Sequence, residues 1–296
     1  MKVKKVYLEP LMSVEQSDLF EGKMLSFSDV KIMFKDSVDV YCKQTKQCIA
    51  KYRKNVIPAD IQLAAFTSLK KVVGDNSNRA VTSATSQEAE ITKKGKASKT
   101  SRVRFKGEVL TGIAGFFDRT PRFPNCRLTA FNKHHFDKFK KAYPIIKLVD
   151  NMYKSLMPEQ YSRQRKQADK TSKDFVIPDT SFTTVTVNQN WQTAVHKDSG
   201  DFKEGFGNLV ALRKGTFTGG YFVVVRWGVG FDLRNGDLLM VDVHQWHGNT
   251  PIVKDDKNAI RLSLVMYYRE NMINCGTMAE ELKRVQNRKK GESLNG

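Results

Sequence analysis

The residues of this 296-residue chain best equipped for chemistry are its histidines and the carboxylates near them. There are five: His134, His135, His196, His244 and His247. His196 and Asp198 stand two residues apart. In extended backbone, positions i and i+2 face the same way, so an imidazole and a carboxylate there converge on one point. His247 lies 51 residues further on, at the end of an apolar run. A third ligand from such a distant strand would complete a face of two histidines and one carboxylate, which leaves positions open on Fe(II) for a co-substrate and O2. A lone His-x-Asp pair is common by chance and by itself reads as structural.

The residues after His247 add to the pair. His247-Gly-Asn-Thr-Pro251 precedes Arg261-Leu-Ser263, and the period of two puts Arg261 and Ser263 on one face. A planar guanidinium clamps a carboxylate at two points, and the serine hydroxyl adds a further bond. That combination suits 2-oxoglutarate, whose keto-acid end chelates iron while its far carboxylate needs an anchor. His134 and His135, in a lysine- and phenylalanine-rich stretch, have no partner at ligand spacing and read as surface or capping residues.

The elements that must carry these residues are strands. Phe182–Asn188, Asn208–Arg213, Gly220–Val225, Leu238–His244 and Arg261–Tyr268 are β-branched and aromatic, with turn signals at Arg213-Lys-Gly215, Thr218-Gly-Gly220 and Asn235-Gly-Asp237. Short strands at close spacing without helical crossovers predict a sandwich or jelly roll. Before them, Ile145, Val149, Met152 and Leu156 recur at helical spacing and stop at Pro158, and Gln160–Lys173 is a charged stretch. The fold class expected is α+β with a mainly β core and flanking helices. Four regions separate: a mixed segment 1–74 containing a helix-like stretch at Ile61–Phe66, a polar basic linker or loop 75–104, a strand-rich domain with preceding helices 105–275 and a charged tail 276–296.

Fifty Lys and Arg against 31 Asp and Glu give a net charge of +19, an excess that favours a polyanion through counterion release. No apolar run is long enough to span a membrane, and the N-terminus lacks the apolar core of a signal peptide, so a cytoplasmic or nuclear location is expected rather than secretion. Cys42, Cys48, Cys126 and Cys275 are scattered without a CxxC pair and read as reduced thiols.

The order and spacing of the His-x-Asp pair, the His-Gly and the Arg-x-Ser resemble the double-stranded β-helix family of Fe(II)/2-oxoglutarate oxygenases. More narrowly, Phe182–Asn188, Thr193–Asp201, Phe231–Asp237 and Val241–Pro251 resemble its TET/JBP branch, over roughly residues 105–270, with Gly112–Arg119 as a further segment. The resemblance implies a dioxygenase that uses Fe(II), 2-oxoglutarate and O2 to hydroxylate the 5-methyl group of a pyrimidine in DNA, in a double-stranded β-helix (jelly roll). Carried over by position, His196, Asp198 and His247 match the iron ligands and Arg261 the co-substrate anchor. His247 fits that pattern better than His244, which would then be a hydrogen-bonded neighbour. Asn188 or Asn190 would present an amide to 2-oxoglutarate, the alternative for each being a turn role at the strand end. Trp191, Trp227 and Trp246 could stack on an everted base, with core packing the default for each.

Several substrates stay open on the sequence. The leading one is 5-methylcytosine, converted to 5-hydroxymethylcytosine. Alternatives are thymine, as in the J-base group, an alkylated base or a protein side chain; a non-enzymic DNA-binding protein is a third reading. A base inside a duplex must be flipped to reach a buried metal, and Lys93–Arg104 with Gln160–Lys173 would hold the flanking phosphates. The chain carries no cysteine-rich zinc module of the large animal TET kind, and residues 1–104 match no pattern, as expected of a compact microbial or phage-type member. Oligomeric state is not legible.

Overall fold

The computed structural model describes residues 3–75, 110–121 and 123–287. In chain order the strands are β1 (Lys4–Leu8), β2 (Ile32–Phe34), β3 (Val38–Cys42), β4 (Cys48–Arg53), β5 (Gly74–Asp75), β6 (Leu110–Phe117), β7 (Arg127–Leu128), β8 (Thr184–Gln189), β9 (Gly207–Lys214), β10 (Phe217–Gly219), β11 (Phe222–Val224), β12 (Val229–Phe231), β13 (Leu238–Val241), β14 (His247–Asn249), β15 (Ile252–Lys254) and β16 (Ile260–Tyr267). The helices are α1 (Val14–Asp18), α2 (Ala59–Leu69), α3 (Ala130–His134), α4 (Phe136–Lys141), α5 (Tyr143–Leu156), α6 (Pro158–Lys170) and α7 (Met278–Gln286). No described helix is long and apolar enough to cross a membrane.

The larger sheet runs β1-β3-β4-β13-β9-β16-β8-β6-β5, with β7 attached to β6, and a smaller sheet runs β14-β11-β12-β2. Between β9 and β16 the chain alternates between the sheets, crossing to β11 and β12, back to β13, out to β14 and back to β16. The fold is thus mixed α+β with a mainly β core. Val40, Tyr52, Leu209 and Leu239 from the larger sheet pack against Phe222, Val224 and Phe231 from the smaller one. On the opposite face of the larger sheet, Ile145, Ile146, Val149 and Tyr153 of α5 cover Val185, Val187, Leu262, Leu264 and Met266.

Strand β16 shows the logic in one element. Leu262, Leu264 and Met266 point into the helix-covered core, while Arg261 and Ser263 face the space between the sheets. Each fully buried side chain of this size contributes about 1.5–3 kcal/mol, so the register that buries three of them also fixes where the arginine points.

Two sequence expectations change. The charged stretch after Pro158 is itself a helix, α6, which starts on that proline and turns Gln164 and Ala168 inward. Proline tolerates the first helical turn, where its missing N–H costs nothing, and with two buried positions in 13 the apolar period was too thin to read. The cysteines are not all reduced: Cys126 and Cys275, 149 residues apart, form a disulfide, while Cys42 and Cys48 are free. Such a pairing depends on tertiary proximity that spacing does not carry.

Segment 1–74 joins both sheets. β4 pairs with β13, and β2 pairs in parallel with β12. The expected basic linker 75–104 lies outside the described residues beyond Asp75.

Candidate active site

The site lies between the sheets, on the open side of β8, β9 and β16. His247 begins β14, whose edge is set by pairing with β11 (Val224 opposite His247). His196 is joined to His247 by a two-hydrogen-bond bridge, His196 N–H to His247 O at 2.9 Å and the reverse at 3.0 Å. Gly248 permits this approach, since a Cβ there would lie 3.1 Å from the Thr193 carbonyl. Asn249 supports it further: its Oδ1 accepts from the Thr193 N–H at 2.8 Å and from the Thr193 hydroxyl. The N-terminal segment closes the outer flank, with the Gly22 N–H donating to Val195 O and the Val195 N–H to Lys23 O.

Three side chains meet there. One ligand atom from each of His196, Asp198 and His247 lies within 4.8 Å of the others. His196 Nε2 is 3.4 Å from Asp198 Oδ1, and His247 Nε2 is 3.7 Å from Asp198 Oδ2. Both imidazoles turn Nδ1 to a backbone carbonyl, Ala194 O at 2.8 Å and Gln245 O at 2.9 Å. A carbonyl accepts only from N–H, so the proton sits on Nδ1 and the Nε2 lone pairs face the carboxylate. Burial, and then the neighbouring His196, lower His247 to about 4, so at neutral pH it is the uncharged, ligating form. Two imidazole nitrogens and a carboxylate converging in this way fit a divalent iron with positions left open.

A cavity of about 380 Å³ opens from this cluster and reaches Asn188, Arg261 and Ser263. Arg261 is 6% exposed and makes no ion pair among the described residues. Burial, and then Arg213, lower its pKa to about 10, which leaves it charged at neutral pH. A buried cation without a counter-ion is costly, so the cavity suits an anion at this end. Ser263 stands opposite Asn188 on β8, and Asn188 Oδ1 accepts from the Thr111 hydroxyl at 2.6 Å. Asn190 instead closes the end of the sheet: its Oδ1 accepts from the Arg261 N–H at 2.7 Å.

The other sequence candidates fall elsewhere. His244 turns Nδ1 to Asp242 at 3.2 Å, which raises its pKa, and is not part of the three-residue cluster. His134 and His135 are exposed on α3 and at its end. Trp227 is in the core, Trp246 donates to Asp18 with Lys197 over its ring, and Trp191 lines the cavity.

Two charged residues of the cavity wall were not read from sequence. Arg269 pairs with buried Asp118 at 2.9 Å. Asp201 has a buried Oδ2 with no hydrogen-bond partner among the described residues, and burial followed by Asp198 holds its carboxyl well above the usual range. Arg269 was legible in principle: it continues the alternation 261, 263, 265, 267 beyond the end of β16.

Comparison with known proteins places this geometry. The Tet_JBP sequence profile, described as the oxygenase domain of the 2OGFeDO superfamily, matches residues 112–270. Thymine dioxygenase JBP1 of Trypanosoma brucei brucei is 34% identical over 195 residues, 62% of this chain and 22% of that protein. Bifunctional helicase and thymine dioxygenase JBP2 of Leishmania major is 33% identical over 175 residues, 58% of this chain and 16% of that protein. The chain therefore spans about a fifth of the length of these curated relatives. The structure of NgTET1 in complex with 5mC DNA superimposes with a TM-score of 0.60 at 12% identity, covering 97% of this chain and 92% of that one. This last likeness concerns the fold.

Proposed function

The chain belongs to the Tet/JBP family of Fe(II)- and 2-oxoglutarate-dependent oxygenases, and from that premise we propose that it is a DNA dioxygenase hydroxylating the 5-methyl group of thymine. The observation that carries the reading is the joint placement of His196, Asp198 and His247 with an unpaired, buried Arg261 at the other end of one cavity. In this reading the alternating two-sheet core is a double-stranded β-helix.

His196, Asp198 and His247 would hold Fe(II); Arg261 and Ser263 would bind the far carboxylate of 2-oxoglutarate, with Asn188 beside it. When bound, iron and 2-oxoglutarate supply, with O2, the oxidising power that turns a methyl C–H into C–OH while the co-substrate becomes succinate and CO2. The protein's own part is geometric. The Nδ1–carbonyl bonds orient both imidazoles, the sheets exclude bulk water, and the cavity mouth receives a flipped base. The net charge of +19 supports DNA as the polymer held at that mouth.

Thymine replaces the sequence-based leaning to 5-methylcytosine because the relatives at 33–34% identity are thymine dioxygenases, whereas the NgTET1 likeness at 12% speaks only to the fold. Mass spectrometry of nucleosides from thymine-containing DNA, with and without 5-methylcytosine, after incubation with Fe(II), 2-oxoglutarate and O2 tests this. 5-Hydroxymethyluracil is expected; 5-hydroxymethylcytosine alone would reassign the base, and neither product, with no succinate, would remove the enzymatic reading.

A further inference from the structure

Arg213 stands directly opposite Arg261 in the β9–β16 pairing, which puts two guanidinium groups on one face of adjacent strands. Both are buried, Arg213 with 8% of its side chain exposed and Arg261 at 6% overall. Among the described residues the carboxylate within ion-pair reach of Arg213 is Asp232, itself 5% exposed. Its Oδ1 lies 3.5 Å from Arg213 Nη1, and its Oδ2 accepts from Arg234 at 2.6 Å. Arg213 is fixed in place by donating to Phe217 O at 2.8 Å and by lying 3.7 Å over the Phe217 ring. Asp237, the next carboxylate along, is already taken by Tyr52, Lys54 and the N–H groups of Asn55 and Arg234.

Counting charges, Arg213 and Arg261, with half-exposed Arg234 beside them, stand against the one carboxylate of Asp232, so this end of the cavity carries an uncompensated positive charge. A buried charge needs a partner. Asp232 is engaged by Arg213 and Arg234, and Arg261 has no carboxylate in ion-pair reach among the described residues. We infer that Arg213 is a positioning residue for co-substrate binding: by occupying Asp232 it keeps Arg261 unpaired and open to the far carboxylate of a 2-oxo dicarboxylate. This rests on the reading of Arg261 as the anchor. It explains why a like-charged pair, which destabilises a sheet when directly opposed, stands at this register. It also gives the site a preference for dicarboxylic over monocarboxylic 2-oxo acids that one arginine paired to an aspartate would not have.

The test is calorimetric titration of the purified protein loaded with Mn(II) in place of Fe(II), using 2-oxoglutarate and, separately, 2-oxopentanoate, which lacks the far carboxylate. Arg213→Gln frees Asp232 to pair with Arg261, and 2-oxoglutarate affinity should fall about tenfold, the effect of one charged hydrogen bond, with 2-oxopentanoate unchanged. Arg213→Gln with Asp232→Asn removes the competitor too, and should restore 2-oxoglutarate affinity to within about threefold of the parent. Equal losses for both acids, or a double variant as weak as the single one, would overturn the inference and leave Arg213 a packing residue. Should Arg213→Gln not fold, Asp232→Asn alone carries the question: tighter 2-oxoglutarate binding supports the inference, and unchanged or weaker binding overturns it. Arg261→Gln separates the two layers. If it leaves 2-oxoglutarate affinity intact, the anchor reading itself fails; if it abolishes binding while Arg213→Gln does nothing, only the inference fails.

Discussion

Replacing Gly220 by alanine perturbs the anchor without touching its chemistry. Gly220 has φ +66°, and a Cβ there would lie 2.8 Å from Arg261 Nε, 2.9 Å from Arg261 Cδ and 3.2 Å from an Ile252 side-chain carbon. The left-handed backbone alone costs about 1–2 kcal/mol for a residue with a Cβ. Relieving the contact means moving a side chain that is 6% exposed and hemmed in by the sheet, so the guanidinium shifts by several tenths of an ångström. A misplacement approaching 1 Å in a positioning group costs up to about a hundredfold, so a ten- to hundredfold loss of 2-oxoglutarate affinity is expected. The melting temperature should fall by roughly 2–8 °C, at about 2–4 °C per kcal/mol. Gly215→Ala is the control: its φ is +74° and its Cβ would meet Asp256 and Ala259, away from Arg261. Thermal melts report the shared backbone cost, and titration of 2-oxoglutarate into Mn(II)-loaded protein reports the anchor. If Gly220→Ala and Gly215→Ala lose stability alike and both keep parental 2-oxoglutarate affinity, the placement of the guanidinium does not govern co-substrate binding and the reasoning is wrong.

Asp198→Ala should abolish Mn(II) binding, read by paramagnetic broadening of bulk water, while the circular dichroism spectrum stays parental; retained metal affinity would remove Asp198 from the ligand set. Leu264→Ala, at a fully buried position of β16, should cost about 2–5 kcal/mol in urea unfolding, and a loss below 1 kcal/mol would contradict the packing assigned to that face. Glu281 is buried, where desolvation raises its pKa, but Arg119 and the N–H groups of Gly276 and Cys126 outweigh this and hold it below the usual 4.5. A carboxylate depressed in the folded state adds stability that is complete above about pH 4.5 and is lost as pH falls through the folded value. Glu281→Gln should therefore lower stability at pH 7 by about 2 kcal/mol and flatten the acid limb of the stability curve, and an unchanged acid limb would refute the assignment.

The legible part of this protein was the part written at short range. Arg261 and Ser263 are two residues apart on β16, so the period of a strand puts them on one face, and His196 and Asp198 repeat the step outside any strand, where the bridge from His196 to His247 sets the direction instead. The five strands read from β-branched runs lie within a few residues of where they form, because β-branched and aromatic side chains fit a pleated, half-buried surface. The hidden part depends on distant segments. The bond between Cys126 and Cys275, the insertion of β2 and β4 into the sheets, and the pairing of Arg269 with Asp118 join residues whose spacing carries no period. Asp201 was visible as a residue three places after Asp198, but its unpaired oxygen results from burial that only the folded sheet creates.

Strand β16 joins the two kinds of information, and this explains why stability and chemistry are not separable in this fold. Its pairing with β8 and β9 puts Leu262, Leu264 and Met266 into the helix-covered core and, by the same register, Arg261 opposite Arg213 and Ser263 opposite Asn188. A slip of one residue would place the arginine in the apolar layer and three apolar side chains in the cavity. Burial of those three is worth about 5–9 kcal/mol at 1.5–3 each, comparable to the whole stability of a typical domain. The hydrophobic face therefore holds the anchor in register far more tightly than any contact the anchor makes itself. That margin is what allows an uncompensated guanidinium to be kept across the cavity from the three-residue cluster, where an anionic co-substrate can meet it.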